Sequence, residues 1–330
     1  MTLKAYFDSG TTNSRIYLIK DNKIIDHDQK SIGSKDSSIA GTNRVLLEGL
    51  KKLYDKVLER NGLKDQDISA IFASGMVTSP FGIKEVPHLK VPVTLQDLRD
   101  HVYSYHEDLF FKRQIGLIPG VKSTPDSEVI TTDNVLEVNS MRGEEVEIFG
   151  LLSTLDDEVK SSSAAILIPG SHTQIAYVQD QKITDLISTM SGELFHAISN
   201  HTIISASIEK DIFECDKSMV QKAFKMLMQY GFNKTVYLIN TMQVFHVADT
   251  RAKTSFLEGA IFGGDIICLE QYLQNKWRGI NYVIIYANRT IAEIYNALLE
   301  IACLGLKVKV VEKTKQSDFA VKGFFEIIKD

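Results

Sequence analysis

Residues 5–19 read AYFDSGTTNSRIYLI, two apolar runs joined by a polar loop that contains one glycine. The apolar runs predict two β-strands, and the polar residues 20–23 predict a turn into a third strand that begins at Ile24. A glycine loop between two strands can bring backbone N–H groups close to a ligand, or it can form an ordinary hairpin turn. This stretch decides the fold because its pattern occurs twice in the chain.

The second copy lies at residues 165–178, which read AILIPGSHTQIAYV and lead into another turn and strand. Gly10 aligns with Gly170 at an offset of 160, and Asp21 aligns with Asp180 at an offset of 159. One single-residue gap therefore aligns the two copies. The spacing is close to half the chain length and indicates an internal repeat, with a similar glycine loop in each half.

The length and composition are typical of a two-domain globular protein. The chain has 330 residues, of which 44% are hydrophobic and 24% are charged, and half of that length is a common domain size. We place the domains at residues 1–160 and 161–330. Alternating helices and strands, together with antiparallel hairpins, favour a mixed α/β sheet in each half. Apolar spacing predicts helices at 43–61, 144–152, 192–205, 218–230, 251–272 and 291–304, and strands at 67–72, 281–286 and 307–311.

The charge and cysteine content argue against several classes of function. With 37 basic and 42 acidic residues, the net charge of −5 provides no basic field for a nucleic acid. Cys215, Cys268 and Cys303 lack the spacing of a zinc site or a disulfide framework, which favours a reducing cytoplasm. The N-terminus has no apolar signal core, and no run of ~18 apolar residues could span a bilayer, so we expect no membrane partner.

The first glycine loop is the sharpest chemical signal. Asp8 leaves a strand and can hold Mg²⁺, while Gly10 allows backbone N–H groups to approach phosphate oxygens. The second loop is similar but lacks the acid, and taken alone it favours a turn. Two such loops facing each other would form a two-sided phosphate clamp. The phosphate-binding candidates are Gly10, Thr11, Thr12 and Asn13 in the first loop and Gly170, Ser171, His172 and Thr173 in the second.

Acidic residues at two predicted helix starts are candidate catalytic or binding groups. In Arg142-Gly143-Glu144-Glu145, a carboxylate could accept the proton of a substrate hydroxyl while Arg142 holds an anionic group. Glu193 has a similar position in Ser191-Gly192-Glu193. Either acid could instead act only as a partner of the helix dipole. The long loop at 74–88 is punctuated by glycine and proline, and it either binds a ligand or runs over the surface.

The chain resembles the 2-dehydro-3-deoxygalactonokinases, because seven short motifs occur in the order seen in that family. The motifs extend over nearly 200 residues, which makes their order more specific than any one of them. A later segment, residues 256–264, resembles a helix of the family. The motifs are Asp8 to Arg15, Ser74-Gly75-Met76-Val77, Lys84-Glu85-Val86-Pro87, Ile118-Pro119-Gly120, Met141 to Glu145, Pro169-Gly170-Ser171-His172 and Ser191 to Phe195.

This resemblance implies the duplicated ribonuclease-H-like fold of the sugar kinase, hsp70 and actin superfamily, with two α/β lobes around a central nucleotide cleft. It implies transfer of the ATP γ-phosphate, with Mg²⁺ present, to the terminal hydroxyl of a 2-keto-3-deoxy sugar acid such as 2-dehydro-3-deoxy-D-galactonate. That reaction is a step in galactonate breakdown. The partners would be the sugar acid and the nucleotide, and the protein could form an oligomer.

The chain departs from the family's pattern at four places. Ser9 stands where the family usually has an aromatic residue, and His88 stands where a Tyr is expected. Gln174 replaces a Lys after the second glycine loop, and Ala287-Asn288 replaces a Gly-Ser pair near the adenosine. These departures keep two alternatives open. One is a kinase of the same fold that acts on another sugar or sugar acid, and the other is a non-catalytic relative that binds sugar or nucleotide.

The resemblance and the loop chemistry together assign provisional roles. Asp8 would position the metal ion, Glu144 would act as the general base, and Arg142 with Lys84 would hold the substrate carboxylate. Besides the two glycine loops, the nucleotide would contact Ala287 and Asn288. The substrate-binding candidates are Ser74, Gly75, Met76, Lys84, Glu85 and Glu193.

Overall fold

The computed structural model describes residues 2–125, 127, 129–210, 214–314 and 318–329. These residues form two compact units. Unit 1 consists of the described residues within Met1–Asp156, Gln181–Asp185 and Asp318–Asp330. Unit 2 consists of those within Asp157–Asp180 and Leu186–Ser317.

The first half of the chain forms a six-stranded sheet and a small three-stranded sheet. The strands are β1 (Leu3–Ser9), β2 (Ser14–Lys20), β3 (Lys23–Lys30), β4 (Ile68–Gly75), β5 (Leu89–Lys90), β6 (Tyr103–Glu107), β7 (Arg113–Leu117), β8 (Val121–Ser123) and β9 (Asn139–Met141). The large sheet has the order β3-β2-β1-β4-β7-β6, and the small sheet has the order β5-β8-β9. Antiparallel pairing joins β1 to β2 and β2 to β3, whereas β1, β4 and β7 pair in parallel.

The second half forms a five-stranded sheet with the order β12-β11-β10-β13-β14. Its strands are β10 (Ser163–Ile168), β11 (Thr173–Gln179), β12 (Lys182–Thr189), β13 (Ile280–Ala287) and β14 (Lys307–Glu312). The first hairpin is antiparallel, and β10, β13 and β14 pair in parallel. The two large sheets thus share one arrangement. A hairpin of three strands comes first in the chain, and the later parallel strands lie on the other side of its first strand. This common core is the ribonuclease-H-like pattern, so the predicted fold class is confirmed.

The backbone confirms the internal repeat in detail. The turn between β2 and β3 and the turn between β11 and β12 each contain two residues with positive φ. These are Asp21-Asn22, at 49° and 59°, and Asp180-Gln181, at 49° and 57°. Such paired positive angles are typical of a type I′ turn, whose twist matches that of the strands. The parallel pairing of the first strand is also irregular at equivalent places, at Leu3/Lys4 and at Ser163/Ala164. The repeat therefore extends to local backbone geometry.

The helices agree with most of the predicted ones. Apolar residues at helical spacing form the buried side of α2, as the sequence predicts. The helix predicted at 192–205 ends at His201, because Thr202 has an extended backbone conformation. None of the helices in the described part of the chain is long and apolar enough to cross a membrane. The helices are α1 (Ser34–Ala40), α2 (Arg44–Arg60), α3 (Leu95–Asp100), α4 (Glu144–Thr154), α5 (Asp157–Lys160), α6 (Ser191–His201), α7 (Lys217–Tyr230), α8 (Phe232–Val244), α9 (Thr250–Asn275), α10 (Arg289–Ala302) and α11 (Phe319–Ile327).

The last helix belongs to unit 1, although the sequence places residues 161–330 in one C-terminal domain. Helix α11 packs against α4 with almost no space between the two backbones. A Cβ atom at Gly150 would lie 2.0 Å from the Phe319 carbonyl oxygen, and one at Gly323 would lie 1.9 Å from the Val146 carbonyl oxygen. Two glycines facing each other allow this close approach. The placement of α11 in unit 1 therefore comes from a contact that sequence periodicity does not report.

Helix α9 buries an acid in unit 2. Glu258 is fully buried, and neither of its carboxyl oxygens has a hydrogen-bond partner among the residues that the structure describes. Burial is the main cause that raises the pKa of this carboxyl group to about 8; the nearby Ser255 hydroxyl opposes the rise, and the charge of Glu209 adds to it. A neutral carboxyl group avoids most of the cost of burying a charge.

We expect the protein to lose stability as the pH rises from 4.5 towards 8. In this range the folded protein keeps a proton on Glu258 that the unfolded chain, with the ordinary pKa of 4.5, has released. The variant Glu258→Gln stays neutral and should melt at a higher temperature than wild type at pH 9, with little difference at pH 4. Thermal unfolding at both pH values measures this. Glu59→Gln on the exposed side of α2 is the control, and the same pH trend in Glu258→Gln and wild type would contradict the prediction.

Candidate active site

The carboxyl ends of β1 and β4 bring together two of the predicted motifs. These strands pair in parallel, with Asp8 opposite Ser74 and Ser9 opposite Gly75. The hydroxyl groups of Tyr6 and Ser74 lie 2.6 Å apart and link the two strands. Ligands of open α/β sheets bind outside the carboxyl ends of parallel strands. The first glycine loop and the loop after β4 therefore share an edge of the sheet that is suited to ligand binding.

Asp8 lies at this edge as a partly buried carboxylate. Its side chain is 19% exposed, and its Oδ2 accepts a hydrogen bond from Arg15 Nη1 at 3.1 Å. Burial lowers the pKa of the Arg15 guanidinium, but Asp8 and further acidic groups nearby raise it overall. Arg15 is thus a cation that holds Asp8 through a charge-assisted hydrogen bond. This bond orients Asp8 at the end of its strand.

Two glycines with positive φ join α4 to the same edge. Gly75 has a φ of +85°, and a Cβ atom there would lie 2.4 Å from the Ser9 carbonyl oxygen. Gly143 precedes α4 with a φ of +112°, and a Cβ atom there would lie 3.2 Å from Gly75 Cα. Glycine adopts this conformation and allows this approach without strain. The contact places the start of α4, which carries Glu144, beside the carboxyl ends of β1 and β4.

The two acids at the start of α4 differ in their surroundings. Glu145 is fully buried, and both of its carboxyl oxygens accept the Gly143 N–H group, at 2.9 and 2.8 Å. Burial, and next the charge of Glu144, raise the pKa of Glu145 well above its ordinary value. Glu144 is only half-buried. Glu145 therefore supports the helix start, and Glu144 is the carboxylate of the pair that a substrate can reach.

Arg142 ties the loop after β4 to the start of α4. Its Nη1 donates to Thr78 Oγ1 at 2.8 Å, and its Nη2 donates to the Val86 carbonyl oxygen at 2.9 Å and lies 3.3 Å from His88 Nδ1. The guanidinium thus acts first as a brace for this loop, a role that the sequence did not suggest. Of the other substrate-binding candidates in unit 1, Ser74 and Gly75 are buried, Met76 is half-buried, and Lys84 and Glu85 are exposed.

The start of α6 holds the second glycine loop. The Glu193 N–H group donates to the Ser171 carbonyl oxygen at 2.8 Å, and a Cβ atom at Gly192 would lie 2.0 Å from the Gly170 carbonyl oxygen. The helix start and the loop therefore touch through their backbones. The Glu193 side chain is exposed beside this contact.

The first glycine loop is held in the same way by the start of α1. A Cβ atom at Gly33 would lie 2.3 Å from the Thr11 carbonyl oxygen, and this oxygen accepts the Lys35 N–H group at 3.0 Å. Sequence reasoning missed Gly33, although it precedes Gly192 by 159 residues, the offset of the repeat. The loops themselves are accessible: Thr11 is half-buried, and Gly10, Thr12, Asn13, Gly170, Ser171 and His172 are exposed.

A buried carboxylate, that of Asp265, supports the second glycine loop from the interior of unit 2. Asp265 accepts hydrogen bonds from the hydroxyls of Thr189 at 2.6 Å, Ser191 at 2.6 Å and Tyr295 at 2.5 Å. The Thr173 hydroxyl, fully buried, lies 3.1 Å from the Tyr295 hydroxyl. Burial raises the pKa of Asp265, and these hydroxyl donors oppose the rise. The side chain of Thr173 therefore belongs to this internal network and is not presented to a ligand.

The segment that the family resemblance assigns to the adenosine lies at the end of β13. This strand pairs in parallel with β10, so the second glycine loop and Ala287-Asn288 follow adjacent strand ends. Ala287 is buried, and the Asn288 side chain accepts the Ile291 N–H group at 3.0 Å as the N-cap of α10. The residues that replace the family's Gly-Ser pair thus have a structural role at a helix start.

The donor set of Asp8 fits a magnesium ion that is bound mainly through phosphates and water. Among the described residues, no group of three His, Cys, Asp or Glu side chains could form a metal site made by the protein alone. Mg²⁺ in phosphoryl-transfer sites is commonly held by one or two carboxylates together with substrate phosphates. A single carboxylate at a strand end, next to a glycine loop, meets that requirement.

Comparisons with known proteins agree with the motifs. The profile of the 2-keto-3-deoxy-galactonokinase family matches residues 8–327. The chain is 24% identical over 274 residues to the 2-dehydro-3-deoxygalactonokinase of Escherichia coli (strain K12), covering 82% of this chain and 81% of that protein. It is 22% identical over 279 residues to the DgoK1 protein of Rhizobium meliloti (strain 1021), covering 81% of each. A crystal structure of a Sinorhizobium meliloti protein named for the same kinase matches with a TM-score of 0.75 at 20% identity, covering 98% and 97% of the two chains, which supports the fold.

Proposed function

Because the chain belongs to the 2-keto-3-deoxy-galactonokinase family, and is thus a carbohydrate kinase that phosphorylates a sugar acid, we propose that it transfers the γ-phosphate of ATP to the terminal hydroxyl of 2-dehydro-3-deoxy-D-galactonate. This would be a step of galactonate breakdown in the cytoplasm. The observation that most supports the proposal is the backbone contact of Gly75 with Gly143. It brings the candidate base, Glu144, to the strand ends that carry Asp8.

The nucleotide would be bound by the residues that the sequence suggests, with one change. The exposed parts of the two glycine loops would hold the phosphates through backbone N–H groups and hydroxyls. Thr173 would stabilise its loop and would not contact the nucleotide, since its hydroxyl belongs to the Asp265 hydrogen-bond network. Asp8 would hold Mg²⁺, which neutralises charge on the phosphates during transfer. Ala287 and Asn288 would lie near the adenosine.

The sugar acid would be bound at the edge formed by β1, β4 and the start of α4. Ser74, Gly75 and Met76 would contact it at the strand ends, with Lys84 and Glu85 as further contacts. Arg142 and Lys84 are the cations for its carboxylate. Glu144 would accept the proton of the attacking hydroxyl. Because phosphoryl transfer needs little covalent help from the protein, positioning and charge neutralisation should dominate the rate.

Replacing Glu144 with glutamine should lower kcat while leaving measurable activity. General-base assistance is typically worth about 10²- to 10⁴-fold, and the positioning groups remain in the variant. A coupled assay of ADP release measures kcat and both KM values. The exposed Glu59→Gln serves as the control. An unchanged kcat in Glu144→Gln would exclude Glu144 as the base.

The substrate itself is tested with a panel of sugars and 2-keto-3-deoxy acids in the same assay. The proposal expects the highest kcat/KM for 2-dehydro-3-deoxy-D-galactonate. His88 in place of the family's usual Tyr favours one alternative, a kinase of the same fold that acts on another sugar or sugar acid. A higher kcat/KM for a different compound would establish that alternative.

A further inference from the structure

His88 presents a hydrogen-bond donor that the protein leaves unused. Its Nδ1 lies 3.3 Å from Arg142 Nη2. A guanidinium group can only donate, so Nδ1 accepts and the ring proton of the neutral imidazole is on Nε2. Nε2 is buried without a hydrogen-bond partner among the described residues. A buried N–H group without an acceptor is unfavourable and calls for a bound partner.

The charges around the His88 imidazole determine which kind of hydrogen-bond acceptor would bind to its Nε2–H group. Burial, and next the charges of Arg142 and Lys122, lower the pKa of His88 to about 4. The imidazole is therefore neutral at neutral pH and has a single N–H group, in a region that contains two cations, Arg142 and Lys122. Such a region favours an acceptor that carries negative charge.

The position of the ring connects it to the proposed substrate site. Arg142, which binds His88, also braces the loop after β4 and precedes Gly143 and Glu144 at the start of α4. A Cβ atom at Gly120 would lie 2.9 Å from His88 Cδ2, the ring atom next to Nε2. The unused N–H group is thus held in place by residues of two family motifs, on the side of unit 1 where the sugar acid is proposed to bind.

We infer that His88 determines specificity for the acid end of the substrate, by donating its Nε2–H group to a carboxylate or keto oxygen of a 2-keto acid. This inference rests on the proposed sugar-acid substrate and adds the group that recognises it. Nε2 is covered in the structure, so the groups that cover it must move when the substrate binds. The unpaired N–H group makes the covered state less stable and so favours that movement.

Two substitutions distinguish the roles of the two ring nitrogens of His88. In His88→Asn, Oδ1 can still accept from Arg142, but no donor remains at the position of Nε2. In His88→Gln, the longer side chain returns an N–H donor to that position. We expect His88→Asn to raise KM for the sugar acid about tenfold to hundredfold, the range for a lost hydrogen bond to a charged group, with kcat and KM for ATP little changed. His88→Gln should recover part of the loss, and His106→Asn on the surface is the control.

A binding measurement keeps the inference testable if the proposed reaction is wrong. Pyruvate is the simplest 2-keto acid, and ¹⁵N NMR of histidine-labelled protein reports on Nε2 directly, with the His88 signal identified by its loss in His88→Asn. We expect a proton on Nε2 at pH 7 and a shift of this signal on titration with pyruvate. A wild-type protein that phosphorylates no 2-keto acid refutes the proposed function alone. A His88 signal that does not respond to pyruvate, or an unchanged KM in His88→Asn, refutes the inference.

Discussion

Replacing Asp8 with alanine is expected to reduce kcat by about 10³-fold or more, since removing one preorganised electrostatic group from a transition state commonly costs about 10²- to 10³-fold and Asp8 is also the proposed metal ligand. The carboxylate leaves β1 beside the glycine loop, and Arg15 holds it there. The effect should appear in the chemical step and not in folding.

The measurement is the rate of ADP release at saturating ATP and sugar acid, with Mg²⁺ in excess. Asp55→Ala removes an exposed carboxylate that pairs with Lys51 on α2, and it should keep wild-type activity because such pairs contribute little. Circular dichroism should show that both variants are folded. Wild-type turnover in Asp8→Ala would show that the metal and the phosphates are held elsewhere.

The second large effect is expected when alanine replaces Gly33 or Gly192, the glycines that contact the first and second glycine loops. In Gly33→Ala the new Cβ would lie 2.3 Å from the Thr11 carbonyl oxygen, and in Gly192→Ala it would lie 2.0 Å from the Gly170 carbonyl oxygen. Backbone atoms cannot yield as side chains do, so each loop must move away from its helix. We expect Kd for ATP to rise at least about tenfold in each variant, with about 1–3 kcal/mol of stability lost by overpacking.

Nucleotide binding by calorimetry and thermal unfolding measure these two effects. Gly264→Ala in α9 is the matched control, because a Cβ atom there meets no atom within 4 Å. If Gly192→Ala binds ATP as tightly as wild type, then the second loop does not contact the phosphates. Similar losses in Gly33→Ala and Gly192→Ala would instead indicate that the repeat is functional as well as structural.

Much of the candidate site could be predicted from local sequence, because loops between strands have recognisable residue patterns. The glycine of each hairpin loop, the acid at Asp8 and the helix start at Glu144 are all visible within a few residues. Other parts were not predictable in this way. Asp265 lies in the middle of a buried helix, and only the fold brings three separate hydroxyls to its carboxylate. Gly33 could have been found by applying the repeat offset to Gly192.

The sequence by itself determined the two related halves and the hairpin strands of each, because hairpins and their turns depend on neighbouring residues and on the period of apolar side chains. It also indicated the family, through short motifs in a fixed order. Only the tertiary structure decided which acid of the Glu144-Glu145 pair is accessible, and that Arg142 braces a loop and leaves His88 with an unused donor. These properties depend on burial and on contacts between distant residues. Such contacts exist once the chain has folded, and no local pattern of residues specifies them.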